Sequence, residues 1–114
     1  MTYCPISKDI NFSSVWEQPP HIRIAWITIL AKKDQQTHII ETNPYLLSRM
    51  ARISQDEAVE ALEYFQKPDA NSRSTEEGGR KLKRLEGNEY LVVTGAKYAK
   101  LAEEWMQSVN EQSN

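Results

Sequence analysis

The feature that most constrains the fold is an apolar segment at positions 21–33, HIRIAWITILAKK. Ile22, Trp26 and Ile29 follow the i, i+4, i+7 spacing that places side chains on one face of a helix. The other apolar residues of the segment lie on or beside that face: Ala25, Leu30, Ile24, Ile27 and Ala31. A helix that is apolar around most of its girth must be covered from more than one side. We therefore expect the central helix of a small domain, beginning at Pro20.

Length and charge restrict the class of protein. A chain of 114 residues is the size of one domain. Its net charge of −2 argues against a general polyanion binder, so nucleic-acid binding would need a local basic cluster. We expect a cytoplasmic protein without membrane association, since no apolar run approaches the ~20 residues of a membrane span and the N-terminus does not resemble a signal peptide. The single cysteine, Cys4, agrees with a reducing compartment.

The rest of the chain alternates helix and strand signals. β-branched residues predict a strand over 37–41, and a second helix follows with Thr42 or Asn43 as its cap and Pro44 in its first turn. Ser54 and Glu57 form a capping box that opens a third helix. Pro68 ends it, and a loop is predicted over 68–79. Two strands over 80–86 and 89–94, joined by a turn at Gly87-Asn88, complete a hairpin. The predicted buried side chains of the second and third helices are Leu46, Leu47, Met50, Ala51, Ala58, Val59, Leu62 and Phe65.

The order helix, strand, helix, helix, strand, strand indicates an α+β fold, a winged helix-turn-helix. We expect an N-terminal arm over 1–18 that docks its apolar residues, Phe12 among them, on the core, and the winged-helix domain over 19–95. An amphipathic C-terminal helix with a frayed tail is predicted over 96–114, with Tyr98, Leu101, Ala102, Trp105 and Val109 on one face. That face either packs on its own domain or pairs with a second copy as a homodimer.

Several stretches resemble the N-terminal winged-helix domain of phage replication-organiser proteins and related phage DNA-replication initiators. The similar segments are SVWEQPPHIRIAWITILAKKD (14–34), YLLSRMARISQDEAVEALEYF (45–65), PDANSRS (68–74) and GGRKLKRLEGNEYLVV (78–93), with Lys97-Tyr98 behind them. The most specific are the Trp-x-x-Pro-Pro-His-x-Arg-x-x-Trp opening and the Pro-Asp…Ser-Arg…Gly-Arg loop. Thr94-Gly95-Ala96 replaces the Asn-Tyr pair expected after the last strand. The resemblance implies a winged helix of phage or prophage origin and a role in DNA replication or its regulation.

Catalysis, metal binding and cofactor binding are not expected. His21 and His38 are far apart in the chain, and together with one cysteine they do not form the clustered ligand set of a structural zinc site. Gly78-Gly79 lacks the Gly-Lys-Ser/Thr continuation of a phosphate-binding loop. We expect His21 to be a packed or capping group rather than a catalytic base.

Basic residues on and before the hairpin are the main functional signal. Arg73, Arg80, Lys81, Lys83 and Arg84 crowd its first strand, and Arg49 and Arg52 belong to the second helix. Such cations hold phosphates and make binding weaken with salt. The alternative is a hairpin whose charges are merely solvated. The leading hypothesis is a non-enzymatic protein that binds DNA, duplex in preference to single strand, through these seven residues.

The third helix suggests a different partner, because it is acidic. Its carboxylates, Asp56, Glu57, Glu60 and Glu63, would repel DNA phosphates if the helix entered the major groove. They either keep a surface helix soluble or bind a basic protein surface. The rival hypothesis is therefore a protein-binding module, whose partner is a replication protein or a host defence nuclease that it inhibits in an anti-CRISPR-like manner.

Overall fold

The computed structural model describes residues 6, 8–68 and 76–93 of the chain. This part contains three α-helices and three strands, α1 (Pro20–Lys32), β1 (Ile39–Glu41), α2 (Pro44–Ala51), α3 (Gln55–Gln66), β2 (Leu82–Arg84) and β3 (Glu89–Val92). Short 3₁₀ helices occupy Ile10–Phe12, Ser14–Glu17 and Glu76–Gly79, the last within the predicted loop. Cys4, Arg73, Trp105 and the helix predicted over 96–114 lie outside the described residues.

Helix α1 has the limits and the core face that its sequence predicts. Pro20 occupies the first turn, where a proline loses no hydrogen bond. Ile22, Trp26 and Ile29 are buried, as is Ala25. The indole ring of Trp26 packs at 5.1 Å between centroids against the Phe65 ring of α3, at an interplanar angle of 48°. A tilted aromatic pair of this kind adds ~0.5–1.5 kcal/mol to the burial of its area.

The opposite side of α1 is only partly covered by the described residues. The expectation that other elements cover α1 from more than one side is confirmed by its contacts with α2, α3 and the 3₁₀ helix Ser14–Glu17. The cover is incomplete, because Ile24 is 47% exposed and Ala31 is also exposed.

The three strands form one antiparallel sheet in the order β1-β3-β2. Ile40 pairs with Tyr90, and Val92 pairs with Leu82. All four side chains are buried, so they define the face of the sheet that packs on the helices. The prediction that the first strand joins the hairpin as a third strand is confirmed. Both hairpin strands are shorter than the predicted 80–86 and 89–94.

Strand β1 is shorter than the predicted 37–41 because a turn occupies its first two residues. The Asp34 carboxylate accepts hydrogen bonds of 2.8 Å from the backbone N–H groups of Gln36 and Thr37. His38 then adopts a left-handed conformation with φ of 59°, which a strand does not allow. Its ring is buried, and His38 Nδ1 accepts a hydrogen bond of 2.8 Å from the Lys33 ammonium.

Helices α2 and α3 start with the caps that the sequence predicts. The Asn43 side chain accepts from the Leu46 N–H at 2.9 Å, so Asn43 rather than Thr42 is the cap of α2. Ser54 and Glu57 make both bonds of a capping box, at 3.1 and 2.9 Å. Arg52 ends α2 in a left-handed conformation with φ of 57°, which turns the chain into α3.

The predicted buried faces of α2 and α3 are wrong at three positions. Leu46, Met50 and Val59 are exposed, at 43%, 37% and 39% of their surface. Small side chains are buried on these helices instead, namely Ser48, Ala51, Ala58 and Ala61, together with Leu47, Leu62 and Phe65. Small side chains let two packed helices approach closely, and in α2 and α3 they occupy positions of the buried side that were predicted for Leu46, Met50 and Val59.

The N-terminal arm contacts the core through fewer apolar side chains than expected. Val15, within the 3₁₀ helix Ser14–Glu17, is fully buried. Phe12 is 76% exposed, so the expectation that it docks on the core is wrong. The described residues thus form a small α+β domain of three helices and a three-stranded antiparallel sheet, an arrangement compatible with a winged helix.

Candidate nucleic-acid interface

The hairpin of β2 and β3 closes tightly and touches the start of α2. Gly87 supplies the positive φ of 58° that the turn needs, and Leu85 N–H donates to Glu89 O at 2.8 Å across it. The Thr42 N–H donates to Asn88 O at 2.9 Å. Because Thr42 lies two residues before α2, this bond places the hairpin tip beside the first turn of that helix.

The cations of the hairpin have different surroundings. Lys83 and Arg84 are exposed on β2, and Arg84 Nε donates to the Gly87 carbonyl at 3.3 Å across the turn. Arg80, before the strand, is half-buried. Two of the predicted phosphate-binding residues are therefore at the surface of the described hairpin, close to its tip.

Lys81 belongs to the interior of the domain. The residue is 7% exposed, and its ammonium donates to Ser14 Oγ at 2.9 Å. The same ammonium lies 5.4 Å from the centroid of the Tyr64 ring, within the range of a cation–π contact. Its backbone N–H donates to Phe65 O at 2.9 Å. Lys81 thus joins β2 to the N-terminal arm and to α3, and we leave it out of the candidate interface.

Arg49 and Arg52 are both exposed, so both side chains are accessible to a partner. Arg49 lies in the last turn of α2, where the helix dipole favours a cation. Arg52 caps the same helix in the connection to α3. With Lys83 and Arg84 they make four exposed cations on α2 and the hairpin, which we call the basic set.

Carboxylates lie close to the basic set. Glu86 and Glu89 of the hairpin are exposed, so their two negative charges equal the positive charges of Lys83 and Arg84. Glu41 lies directly opposite Glu89 in the register of β1 and β3. Like charges facing each other across a sheet repel, and they limit the positive potential at this edge.

The four carboxylates of α3 point in two directions. Glu60 Oε2 lies 3.0 Å from His21 Nε2, and Glu57 Oε2 lies 3.6 Å from His21 Nδ1. The Ser54 N–H bond holds the pKa of Glu57 below its usual value, and the charge of His21 acts in the same direction. His21 is therefore a packed group that joins α1 to α3. Asp56 and Glu63 are exposed on the outer face of α3.

Leu46, Met50 and Val59 form a feature that the sequence reasoning missed, and we call them the apolar set. Leu46 and Met50 are four residues apart on α2, so they are neighbours on one outer face. Val59 is on the exposed side of α3, three residues from Asp56 and four from Glu63. The sequence contains one signal for this arrangement, which is the presence of small residues at positions that pack between α2 and α3: Ser48, Ala51, Ala58 and Ala61. When these residues form the buried side, Leu46, Met50 and Val59 face outward.

Metal-ligand clusters and membrane-spanning helices are both absent from the described residues. No group of three or more His, Cys, Asp or Glu side chains there could hold a metal ion. Within the same residues, no helix combines the length and apolar character needed to cross a membrane.

Comparisons with protein-family models, curated proteins and solved structures find no match to this chain. The class is therefore defined by the structure alone: a small α+β domain whose hairpin and second helix carry four exposed cations. An acidic third helix with one exposed apolar side chain, Val59, packs against α2.

Proposed function

We propose that the domain is a winged helix that binds the phosphate backbone of duplex DNA through the basic set, Arg49, Arg52, Lys83 and Arg84. The observation that carries the proposal is the bond between Thr42 N–H and Asn88 O, which joins the hairpin tip to the start of α2. Arg49 follows Pro44 by five residues, about 7.5 Å along the helix axis. The cations of the hairpin and of α2 thereby belong to neighbouring elements that one duplex can contact together.

In this proposal α3 does not enter the major groove. The exposed carboxylates of Asp56 and Glu63 would face the phosphates there and repel them. Contacts to phosphates position a protein on DNA but read no sequence. We therefore propose binding with little sequence preference, and we assign it to DNA replication or its regulation because of the sequence resemblance described above.

The size of the basic set predicts how strongly salt weakens binding. Four phosphate contacts give a slope of about −3.6 for log K against log salt on duplex DNA, and about −2.8 on a single strand. Between 50 and 200 mM salt the affinity for duplex should then fall by about 150-fold. A slope much closer to zero would mean that the four cations do not contact phosphates together.

The experiment is fluorescence anisotropy with labelled duplex and single-stranded DNA over a salt series. Changing Lys83→Ala together with Arg84→Ala should halve the slope to about −1.8, because each phosphate contact contributes about one unit. Lys32→Ala is the control, because Lys32 is an exposed cation in the last turn of α1. It precedes the N-terminal end of β1, whereas the hairpin tip is bonded to Thr42, which follows the C-terminal end of that strand. Equal affinity and slope for wild type and double variant would refute the proposal.

The apolar set favours a second candidate, which is binding of a protein. Leu46, Met50 and Val59 have nothing to contact on a phosphate backbone, whereas exposed apolar side chains rimmed by polar ones are typical of protein interfaces. Asp56 and Glu63 would orient a basic partner surface by charge. The partner would be a replication protein or a host nuclease with a basic nucleic-acid channel.

A pull-down from host lysate tests this second candidate. A specific partner should bind the wild type and be lost when Asp56→Lys and Glu63→Lys are combined, a change that leaves both carboxylates paired with His21 in place. The control Lys32→Ala should retain it. A partner retained equally by the charge-reversed variant would show that these carboxylates only keep the surface soluble.

A further inference from the structure

Tyr45 presents an aromatic ring to solvent in the first turn of α2. The residue is 55% exposed. The other tyrosines that the structure describes belong to the domain itself: the Tyr64 ring packs edge-on against Phe65 at 5.7 Å between centroids, and Tyr90 is 5% exposed. Among the described tyrosines, Tyr45 is therefore the one whose ring is available to a binding partner.

Tyr45 shares one side of α2 with two cations of the basic set. Arg49 follows it by four residues and Arg52 by seven, the spacing that places side chains along one side of a helix. Both arginines are exposed. Leu46 and Met50 form a separate line, one residue further around the helix. Since the sequence of α2, PYLLSRMA, contains no carboxylate, the charge of this helix is positive only.

An aromatic ring beside a guanidinium group fits the two parts of a nucleotide. Side chains four residues apart on a helix have their Cβ atoms about 5–6 Å apart, so Tyr45 and Arg49 can contact a base and its phosphate together. Removing one stack between a base and an aromatic ring lowers affinity by about 5- to 150-fold. An apolar protein surface would also fit the ring, but it would offer no acceptor to the two arginines. Charge complementarity therefore favours a nucleotide.

We propose that Tyr45 stacks on an unpaired base of DNA, so that the domain prefers a duplex containing an unpaired nucleotide to a continuous one. This inference rests on the proposed function, because the basic set must hold the phosphates. In a continuous duplex the faces of each internal base are covered by its neighbours, so the ring has no base to stack on. The hairpin tip, bonded to Thr42 three residues before Tyr45, brings its cations to the paired DNA beside that nucleotide.

The test is fluorescence anisotropy with three labelled duplexes: a continuous one, one with a single unpaired thymine, and one with an abasic residue in place of that thymine. The last two have the same number of phosphates, so their difference reports the base alone. The wild type should bind the thymine duplex at least about fivefold more tightly than the abasic one. Tyr45→Ala should bind both equally. It should keep the slope of about −3.6 for log K against log salt on continuous duplex, because the ring carries no charge.

Three control variants separate the ring from its surroundings. Tyr45→Phe keeps the ring and should keep the preference for the unpaired thymine. Leu46→Ala should also keep it, because Leu46 is 43% exposed in the same turn of α2 but lies on the neighbouring line. Arg49→Ala should lower the affinity for both duplexes by the same factor and reduce the salt slope by about one unit, since it removes a phosphate contact.

The outcomes distinguish this inference from the proposed function. Equal affinity of the wild type for the thymine and abasic duplexes, with steep salt dependence on continuous duplex, would overturn the role of Tyr45 and leave the proposed function intact. A preference that survives in Tyr45→Ala, or one that disappears in Leu46→Ala, would also overturn it. Absence of salt-dependent binding to all three duplexes would overturn the proposed function and this inference together.

Discussion

Lys81 and Lys83 are two residues apart, and their surroundings predict opposite consequences for the same change to alanine. Lys81→Ala removes a charged hydrogen bond to Ser14, worth ~1.5–3 kcal/mol, and a cation–π contact with Tyr64, worth ~0.5–2 kcal/mol. The methylene groups of its stem contribute further, and release of the buried ammonium to water offsets part of the total. We expect a loss of about 3 kcal/mol in the free energy of unfolding. Lys83→Ala is an exposed change and should stay within ~0.5 kcal/mol.

Urea unfolding followed by tryptophan fluorescence measures the free energy of unfolding of both variants, and the anisotropy salt series measures their DNA binding. Below its unfolding transition, the Lys81→Ala variant should keep the wild-type slope of log K against log salt, whereas Lys83→Ala should lose about one unit. Lys81→Met, which keeps the stem but not the ammonium, should be destabilised less than Lys81→Ala. A Lys81→Ala protein with normal stability and a reduced salt slope would refute the placement of Lys81 inside the domain.

Other changes test local features of the fold. Arg52→Gly removes a side chain from a left-handed position and should raise the stability by ~0.5–1 kcal/mol in urea unfolding, while lowering the salt slope by about one unit. Ser54→Ala breaks the capping box and should cost ~1 kcal/mol in the same assay. Burial, and then the charge of Lys33, lower the pKa of His38, so the unfolded chain takes up a proton near pH 6.5 before the folded one does. Stability should therefore fall as the pH drops below about 6.5 and level off below the folded pKa, and a His38→Asn control should remove that component.

The parts of the fold that the sequence predicted depend on local signals. Pro20 at the start of α1, the Asn43 and Ser54 caps and the Gly87 turn each act within a few residues, so their effect does not depend on the rest of the chain. The face of α1 that contacts α3 was also predicted, because α1 has large apolar residues at regular spacing and Trp26 meets Phe65 there.

What the sequence did not predict depends on contacts between distant segments. Lys81 and Lys83 are two residues apart and carry the same charge, so the alternation of side chains along a strand predicts the same exposure for both. The contacts of Lys81 with Ser14 and Tyr64 place it in the interior instead. The Asp34 turn shortened β1 because its carboxylate competes for backbone N–H groups that a strand would use. The burial of Lys81 and the turn at Asp34 do not change the spacing of hydrophobic residues, so that spacing does not predict them.

The two apolar surfaces left open by these contacts lead to one combined prediction. An apolar groove on the outer side of α1 contains Ile24, and the apolar set on α2 and α3 contains Leu46. Leu46→Lys should reduce capture of a protein partner in the lysate pull-down, because a lysine there changes the surface available to that partner. Ile24→Lys should leave the capture unchanged, because Ile24 belongs to the groove on α1 and not to the apolar set. Loss of capture in the Ile24→Lys variant would mean that the partner contacts both surfaces.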